Sequence, residues 1–277
     1  MSETCLAIES LSKRFGGFYA VNDLSMEVAR GAIHALIGPN GAGKTTFFNL
    51  VTGVLAADTG RISFEGEIVA DARPSRRTLR GIARTFQNIR LFPHLTVLET
   101  VMIGAHCRAF PSMWRALGGA VLVRPFGEAA QEKEMREHAL ALLTFFGLAD
   151  KSDAKASDLA YGDQRRLEMA RALATQPRLL LLDEPAAGTN PQETRALDAL
   201  ITRIRDRGIT IILVEHDMRL VMEISDRVTV LNFGTKIAEG TPAQVQADAR
   251  VIEAYLGEDA EPKDLAPKDS APKDSAS

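Results

Sequence analysis

Residues 38–46 form a glycine-rich segment whose spacing suits the binding of a polyphosphate. Gly38, Gly43, Lys44 and Thr45 fit the pattern Gly-x-x-x-x-Gly-Lys-Ser/Thr, in which backbone N–H groups surround the anion. Glycine allows this close approach because it has no Cβ. Lys44 adds a full positive charge at the β- and γ-phosphates, and Thr45 offers a hydroxyl to Mg²⁺. The segment therefore predicts a nucleoside triphosphate site that includes a metal ion.

Two adjacent carboxylates follow an apolar run at residues 179–182, which predicts a buried strand. Asp183 at the tip of this strand can hold Mg²⁺ through water, next to Thr45. Glu184 follows at a position from which a general base could polarise an attacking water. Without a metal ion, two carboxylates beside a polyphosphate would repel it, and Mg²⁺ is therefore expected as a cofactor.

Two further polar side chains are candidates for the same site. Gln87 carries a neutral amide that can touch the metal ion or the water and can move with its loop. His216 follows the apolar run 209–214, and its imidazole can donate a hydrogen bond to a terminal phosphate oxygen. Taken alone, each is an ordinary surface or core residue, and this remains the interpretation of His34, His94, His106 and His138.

A second element that can face a phosphate begins at Leu159 and has the sequence LAYGDQRR. Gly162 stands at the start of a helix that is predicted to run through Ala174, and a helix N-terminus attracts anions. The two phosphate-facing elements need not serve the same nucleotide. If two copies pair head to tail, the Gly162 helix of one copy closes over the ATP on the other, and a twofold axis creates two such sites.

The elements that must position these residues follow from hydrophobic periodicity. Short strands are predicted within residues 6–31, a hairpin around Gly66, and a mainly helical stretch from about 95 to 175 that includes a helix over 128–146. Apolar strands then alternate with helices, which predicts a parallel α/β core with the phosphate loop at the carboxyl ends of the strands. These strands are Leu179–Leu182, Ile209–Val214 and Val228–Leu231, the last turning through a hairpin into Lys236–Ala238.

Composition is that of a soluble protein: 277 residues, 45% apolar and 25% charged. No apolar run approaches the roughly 20 residues that cross a bilayer. The first residues lack a basic start and an apolar stretch, so no signal peptide is expected. Cys5 and Cys107 have no metal-binding spacing and indicate a reducing compartment.

The net charge of −3 resides in the tail at residues 258–277, which holds six acidic side chains and three lysines. The remaining chain is balanced at 30 basic against 30 acidic residues and lacks the bulk charge of a nucleic-acid binder. Three Pro-Lys-Asp repeats predict that the tail is disordered. Residues 111–127 are apolar but broken by Gly and Pro, and are predicted to be either a loop or an exposed partner surface.

Six motifs in order, GPNGAGKTT, Gln87, LAYGDQRR, LLLLDEP, AAGTNP and VEHD, resemble the ATP-binding subunit of ABC transporters over roughly residues 6–256. The resemblance implies an α/β phosphate-loop NTPase core with an N-terminal antiparallel β-subdomain and an inserted helical subdomain, forming one domain over 1–257. It also implies the roles of the site residues. The phosphates and Mg²⁺ are bound by Lys44, Thr45 and Thr46, within a loop that includes Pro39, Asn40, Gly41 and Ala42. Gln87 is the sensor and a metal ligand, Asp183 binds Mg²⁺, Glu184 is the catalytic base and His216 contacts the γ-phosphate. Phe15 stacks on adenine, and the residues facing ATP in trans are Ala160, Tyr161, Gly162 and Asp163.

The signature and the loop after Glu184 depart from the usual family pattern. Ala160 lacks the hydroxyl of the common serine, so the N–H of Gly162 must carry more of the trans contact. Asp163 would repel phosphate and is expected to point elsewhere, toward ribose for example. Asn190 stands where Asp is usual. These departures resemble the importer branch for branched-chain amino acids, although importers of urea or other amides share much of the pattern.

The resemblance implies a second ATPase subunit, identical or related, two integral membrane permease subunits and, indirectly, a substrate-binding protein. It places the chain peripherally at the cytoplasmic face of the inner membrane, with residues 89–93 passing motion to a permease helix. No nucleic-acid partner is expected. A non-transport ATPase acting on DNA or ribosomes would usually carry coiled coils, a second ATPase domain or zinc modules. The order of LAYGDQ before LLLLDEP disfavours a phosphate-loop kinase or GTPase. The presence of Lys44, Asp183 and Glu184 disfavours a purely structural role.

Overall fold

The structure, a computed structural model, describes residues 3–69, 73–116 and 125–256. Its strands are β1 Thr4–Phe15, β2 Phe18–Ala29, β3 Ile33–Ile37, β4 Thr59–Phe64, β5 Glu67–Ile68, β6 Ile82–Arg84, β7 Leu179–Asp183, β8 Thr210–Val214, β9 Arg227–Asn232 and β10 Thr235–Gly240. Its helices are α1 Lys44–Val51, α2 Pro74–Leu79, α3 Val97–Ala116, α4 Pro125–Phe146, α5 Tyr161–Ala174, α6 Pro191–Arg205, α7 Met218–Ile224, α8 Pro242–Gln246 and α9 Ala249–Leu256.

The central sheet has the strand order β10-β9-β3-β8-β7-β6. The neighbours from β9 to β6 pair in parallel, and β10 pairs antiparallel with β9 at one edge. Every residue of β3, β7 and β8 is buried, as expected for parallel strands covered on both faces. The parallel α/β core and the hairpin between β9 and β10 are confirmed.

A second, antiparallel sheet has the order β2-β1-β4-β5. The sequence predicts several short strands within 6–31, but the structure has two strands of 12 residues each. Bulges let each strand continue: the β1–β2 register shifts between Ile8 and Leu11, and both Ser10 and Asp23 have positive φ angles of 45° and 48°. The predicted hairpin around Gly66 is confirmed by the pairing of β4 with β5.

Helices α3, α4 and α5 form the helical subdomain between β6 and β7. α4 ends at Phe146 as predicted, and Gly147 follows with a φ of 69°. The stretch 111–127, predicted to be a loop or an exposed partner surface, is helical at its described start, because α3 continues through Pro111 to Ala116. Pro125 begins α4, where the missing N–H of proline has no cost. Residues 117–124 and the tail lie outside the described residues.

No helix among the described residues combines the length and apolar character needed to span a bilayer. The helical subdomain instead buries its apolar side chains on the core: one hydrophobic cluster joins Leu143 of α4 and Leu167 of α5 to Leu180 of β7 and Ile201 of α6. α5, which begins at the LAYGD segment, and β7, which ends at Asp183, therefore belong to the same hydrophobic core.

α3 and α5 cross at a point where only glycine fits. A Cβ added to Gly104 of α3 would lie 2.2 Å from the backbone oxygen of Arg171 and 3.0 Å from the Cβ of Ala174. Helices approach this closely only where one of them lacks a side chain, since neither backbone can yield without disturbing the surrounding packing.

We expect Gly104→Ala to lower the free energy of unfolding by about 1–3 kcal/mol, because the added methyl group overlaps a backbone oxygen in a packed interface. Urea denaturation measures this loss. Gly17→Ala is the matched control, since no heavy atom lies within 4 Å of a Cβ at Gly17, and its effect should stay within about 0.5 kcal/mol. Equal stability of the two variants would contradict the close crossing.

Candidate nucleotide site

Three parallel strands end side by side, and each leads into a predicted site segment. Val214 of β8 pairs with Leu36 of β3 on one side and with Asp183 of β7 on the other. The chain therefore leaves the sheet at one edge toward the phosphate loop, Glu184 and His216. This register places the three sequence-distant motifs in one region.

The phosphate loop is folded so that side chains are excluded at two of its glycines. A Cβ on Gly38 would lie 2.1 Å from the backbone oxygen of Leu231, and one on Gly43 would lie 2.1 Å from that of Ala20. Gly43 precedes α1 and has a φ of 103°. The ammonium group of Lys44 donates to the backbone oxygens of Gly38 at 2.5 Å and Pro39 at 2.8 Å. Glycines at both ends of the loop leave its backbone free to approach an anion closely.

A cleft of ≈ 530 Å³ opens over the loop. One end is polar and the other aromatic, with Phe15 and Phe18 39% and 64% exposed and their ring centroids 6.4 Å apart. A nucleotide has the same two-part character, so the residues fit ATP. The lining residues are Phe15, Phe18, Tyr19, Ala20, Asn40, Gly41, Ala42, Gly43, Lys44, Thr45, Thr46, Gln87, Glu184, His216 and Phe233.

Glu184 is held from both sides in this cleft. The amide Nε2 of Gln87 donates to Oε2 of Glu184 at 2.8 Å, and Nε2 of His216 lies 2.9 Å from Oε1. Glu184 has a φ of 48°, the left-handed region that is rare for residues other than glycine, and its N–H bonds to the oxygen of Val214. Such a conformation persists only where neighbouring contacts enforce it. The structure thus joins the three predicted catalytic side chains through one carboxylate.

Glu215 connects the loops that carry Glu184 and His216, and the sequence analysis did not single it out. Its carboxylate accepts hydrogen bonds from the N–H of Ala186 at 2.6 Å and of His216 at 3.1 Å. The side chain is buried, and burial raises the pKa of the Glu215 carboxyl group. A carboxylate directly after five buried strand residues is the signal that would have identified it, because buried acids require specific partners.

Oxygen donors for Mg²⁺ are available from Thr45, Gln87 and Asp183. The part of the chain that the structure describes contains no group of three or more His, Cys, Asp or Glu side chains arranged to hold a metal. This fits Mg²⁺, which takes one or two protein ligands and completes its shell with water and phosphate. The carboxylate of Asp183 is buried and forms an ion pair with Arg84 at 2.6 Å, a partner that the sequence analysis did not anticipate.

The loop at residues 86–90, here called the glutamine loop, is held by charged side chains of α5. Arg165 donates to the backbone oxygens of Phe86 at 2.8 Å and Gln87 at 2.5 Å. Glu168 accepts from the N–H of Phe86 at 3.3 Å, and Arg171 donates to the oxygen of Arg90. The loop that presents the Gln87 amide is therefore fastened to the helix that begins at the LAYGD segment.

Arg165 and Glu168 are buried, Arg171 is partly buried, and the three charges are paired with each other. Arg165 and Arg171 each lie 3.7 Å from Glu168, whose side chain is 1% exposed. Burial raises the pKa of Glu168 and lowers that of Arg171. Separating the glutamine loop from α5 would leave these ion pairs intact but would remove the backbone hydrogen-bond partners of Arg165, Glu168 and Arg171. Leaving buried donors and acceptors unpaired is costly, so the contacts resist this separation. Charged residues at i and i+3 on a helix were the available sequence signal.

The LAYGD segment does not meet the phosphate loop of its own chain. Ala160 is the N-cap of α5, whose first turn contains Tyr161 and Gly162. Ala160 and Gly162 line a different cavity of ≈ 620 Å³ beside α6. The first N–H groups of an α-helix have no intrahelical acceptor, so this helix end can still receive an anion from outside its own chain.

Asp163 lies in the first turn of α5 and lines the same cavity, but its charge is paired within the chain, and its surroundings do not favour the ribose contact suggested from the sequence. Its carboxylate is 5% exposed and bonds to Lys151 at 2.5 Å and to Arg166. Two cations inside the helical subdomain satisfy this charge, so we assign the side chain a structural role. Asn190 is also structural in this conformation, since its side chain caps α6 by accepting from the N–H groups of Gln192 and Glu193.

Comparison with known families agrees with this geometry. Residues 21–187 match the family model described as ABC transporter, and residues 235–261 match the model described as branched-chain amino acid ATP-binding cassette transporter. The chain is 46% identical over 260 residues to the high-affinity branched-chain amino acid transport ATP-binding protein LivG of Salmonella typhimurium, covering 93% of this chain and 100% of that one. It is 42% identical over 259 residues to BraF of Pseudomonas aeruginosa, with the same coverage.

Solved structures show the same architecture. An ATP-binding cassette of an ABC transporter in its ADP conformation superposes with a TM-score of 0.79 at 34% identity, covering 92% of this chain and 99% of that one. A nucleotide-free cassette gives 0.77 at 32% identity, with coverage of 91% and 98%. The fold and the site define a phosphate-loop nucleotide-binding domain of the cassette type. The chain belongs to the ABC transporter family, and the fold class predicted from the sequence is confirmed.

We expect Arg165→Gln to free the glutamine loop, because it removes the hydrogen bonds to two backbone oxygens and leaves buried Glu168 with one cation. Hydrogen exchange at the amides of 86–90 should accelerate at least tenfold, and ATP turnover should fall about tenfold. Arg166→Gln is the control, since Lys151 still pairs with Asp163 in that variant. Unchanged exchange in Arg165→Gln would contradict the proposed hold on the loop.

Proposed function

We propose that this chain is the ATP-hydrolysing subunit of an importer of branched-chain amino acids and acts through partner membrane subunits. The observation that carries the proposal is the joining of Glu184, Gln87 and His216 above a phosphate loop, while the start of α5 lines a separate cavity. The chain therefore has a hydrolytic site and a second anion-facing element that this site does not use.

In the hydrolytic site Glu184 is the general base that takes the proton of the attacking water. Both of its oxygens are engaged, one by Gln87 and one by His216. Each carboxylate oxygen keeps a second lone pair that can accept the proton of the water. His216 can turn its ring N–H to the terminal phosphate, and Gln87 can turn its amide oxygen to the metal or the water.

The phosphates are bound by the loop at 38–46, with Lys44 exchanging the backbone oxygens of Gly38 and Pro39 for phosphate oxygens. Thr45 and Asp183 would hold Mg²⁺, and the ion would neutralise charge on the phosphates. Phe15, at the aromatic end of the cleft, stacks on the adenine ring. Phe15, Lys44 and Thr45 line one cleft, and Asp183 directly precedes Glu184, which also lines it.

Two subunits complete the site. The N-terminus of α5, with Gly162 in its first turn, contacts the γ-phosphate of the nucleotide on a second copy or a related subunit. Ala160 has no hydroxyl, so backbone N–H groups supply this contact. The arrangement is reciprocal in a twofold pair, and ATP shifts the pair toward its closed state because it binds that state more tightly.

The remaining partners are two integral membrane permease subunits and, through them, a substrate-binding protein. The chain is peripheral at the cytoplasmic face of the inner membrane in this proposal. Exposed Phe92, next to the glutamine loop, suits contact with a permease helix. The C-terminal family match at 235–261 and the names of the relatives favour branched-chain amino acids over urea or amides as cargo.

We expect Glu184→Gln to bind ATP but to hydrolyse it at least about 100-fold more slowly, because the amide cannot take up a proton. The variant should remain paired in the presence of Mg²⁺-ATP, which light scattering after size-exclusion chromatography measures as a doubled mass. Lys44→Ala should remain a monomer under the same conditions, because it lacks the phosphate-binding charge. Turnover by Glu184→Gln at the normal rate would remove the base assignment.

The specific ATPase activity of the purified chain should rise with its concentration, because each site needs a second subunit. Steady-state phosphate release from about 0.1 to 10 μM protein tests this expectation. A mixture of wild type with excess Lys44→Ala tests the same point, since that variant supplies an intact α5 N-terminus to wild-type sites. Rapid turnover that is independent of concentration would show that one copy suffices.

A further inference from the structure

Arg84, the last residue of β6, has a set of contacts that no role described above explains. Its guanidinium donates to Oδ2 of Asp183 and to Oδ1 of Asn49, both at 2.6 Å. The ion pair with Asp183 is almost fully enclosed, with side-chain exposures of 7% and 5%. Aromatic rings also contact the guanidinium, Phe48 at 5.2 Å and Phe86 at 5.1 Å from the ring centroids.

These contacts place the guanidinium close to the expected metal position. Asn49 lies four residues after Thr45 in α1, so the two side chains share one face of the helix, one turn apart. The Asn49 side chain that Arg84 contacts therefore lies about one helical turn, roughly 5–6 Å, from the side chain of Thr45, the expected Mg²⁺ ligand.

Arg84 is also held firmly in this position. The two rings, the Asn49 amide and the Asp183 carboxylate contact it from different elements, namely α1, the glutamine loop and β7. Its Nε is buried without a hydrogen-bond partner, a cost that an arginine bears only where its other contacts compensate. Leaving this pocket would expose Asp183 to the phosphates with its charge uncompensated.

We propose that Arg84 is a positioning residue that serves as a resident counter-charge for Asp183 and thereby sets how strongly nucleotide binding depends on Mg²⁺. This inference rests on the proposed function. With Arg84 present, the phosphates meet a neutral ion pair instead of a bare carboxylate, so ATP binds appreciably without metal. The same positive charge opposes Mg²⁺, so the metal adds less to nucleotide affinity than it would beside an unpaired aspartate.

The experiment measures this dependence directly by equilibrium binding of a fluorescent non-hydrolysable ATP analogue, once in EDTA and once with saturating Mg²⁺. The quantity compared is the dissociation constant in EDTA divided by the dissociation constant with saturating Mg²⁺. Both are measured on the same folded fraction of each variant, and the affinity of free Mg²⁺ for the analogue is common to all variants. The ratio therefore isolates the coupling between metal and nucleotide on the protein.

We expect Arg84→Gln to bind the metal-free analogue about tenfold more weakly and to raise the ratio of dissociation constants by at least about tenfold, from the loss of one charge at this separation. Arg84→Met, whose unbranched side chain can pack between the two rings, should do the same and is the second neutral variant. Arg84→Lys keeps the charge and should restore a ratio within about threefold of wild type.

Arg80→Gln is the control, because Arg80 follows α2, is exposed and pairs with Glu67. It should leave both dissociation constants unchanged. An unchanged ratio in both neutral variants, or an equal change in Arg84→Lys and Arg84→Gln, would overturn the inference while leaving the proposed function intact. Wild-type protein that binds the analogue in neither condition would overturn the proposed function as well.

Discussion

The parallel register of three strands is the constraint on which the rest of the site depends. Val214 lies opposite Leu36 on one neighbour and Asp183 on the other, so the phosphate loop, Glu184 and His216 leave the sheet together. A shift of one residue in any of these strands would turn every side chain to the opposite face. Because β3, β7 and β8 are buried at every position, the core fixes the register, and the register fixes the chemistry.

Buried charge is the second organising feature. The glutamine loop is joined to α5 by Arg165, Glu168 and Arg171, and Asp183 is joined to β6 by Arg84. Each connection links elements far apart in sequence. Opening the first leaves buried hydrogen-bonding groups of α5 unpaired, and opening the second leaves the buried charge of Asp183 uncompensated. Such pairs add little to net stability but strongly favour one arrangement. Gln87 is consequently presented to Glu184 by a loop that cannot shift independently of the helical subdomain.

The sequence was sufficient for the features that follow from local pattern. The glycine spacing at 38–46 identified the phosphate loop, and the apolar runs identified β7, β8 and β9 to within a residue or two at each end. Ordered motifs then predicted the fold class, which the family match confirms. Strand boundaries within 6–31 failed because a bulge at Ser10 leaves no signal in alternation.

The partners of charged residues could not be predicted in the same way. Nothing near Arg84 in the sequence points to Asp183, 99 residues away, and nothing near Asp163 points to Lys151. Glu215 looked like an ordinary residue of a motif whose histidine drew attention. Such ion pairs depend on which helices and strands become neighbours, and this topology is settled by the packing of the whole core rather than by any single segment.

The phosphate loop is supported by main-chain atoms of its neighbours, Leu231 and Ala20, whose carbonyl oxygens occupy the space where side chains at Gly38 and Gly43 would lie. A carbonyl oxygen is the same whatever residue bears it. Substitution at positions 20 and 231 is thus limited by their own packing and not by the glycines they touch, whereas positions 38 and 43 admit no alternative. During divergence, the residues at positions 20 and 231 can therefore change in chemical character, while positions 38 and 43 stay glycine.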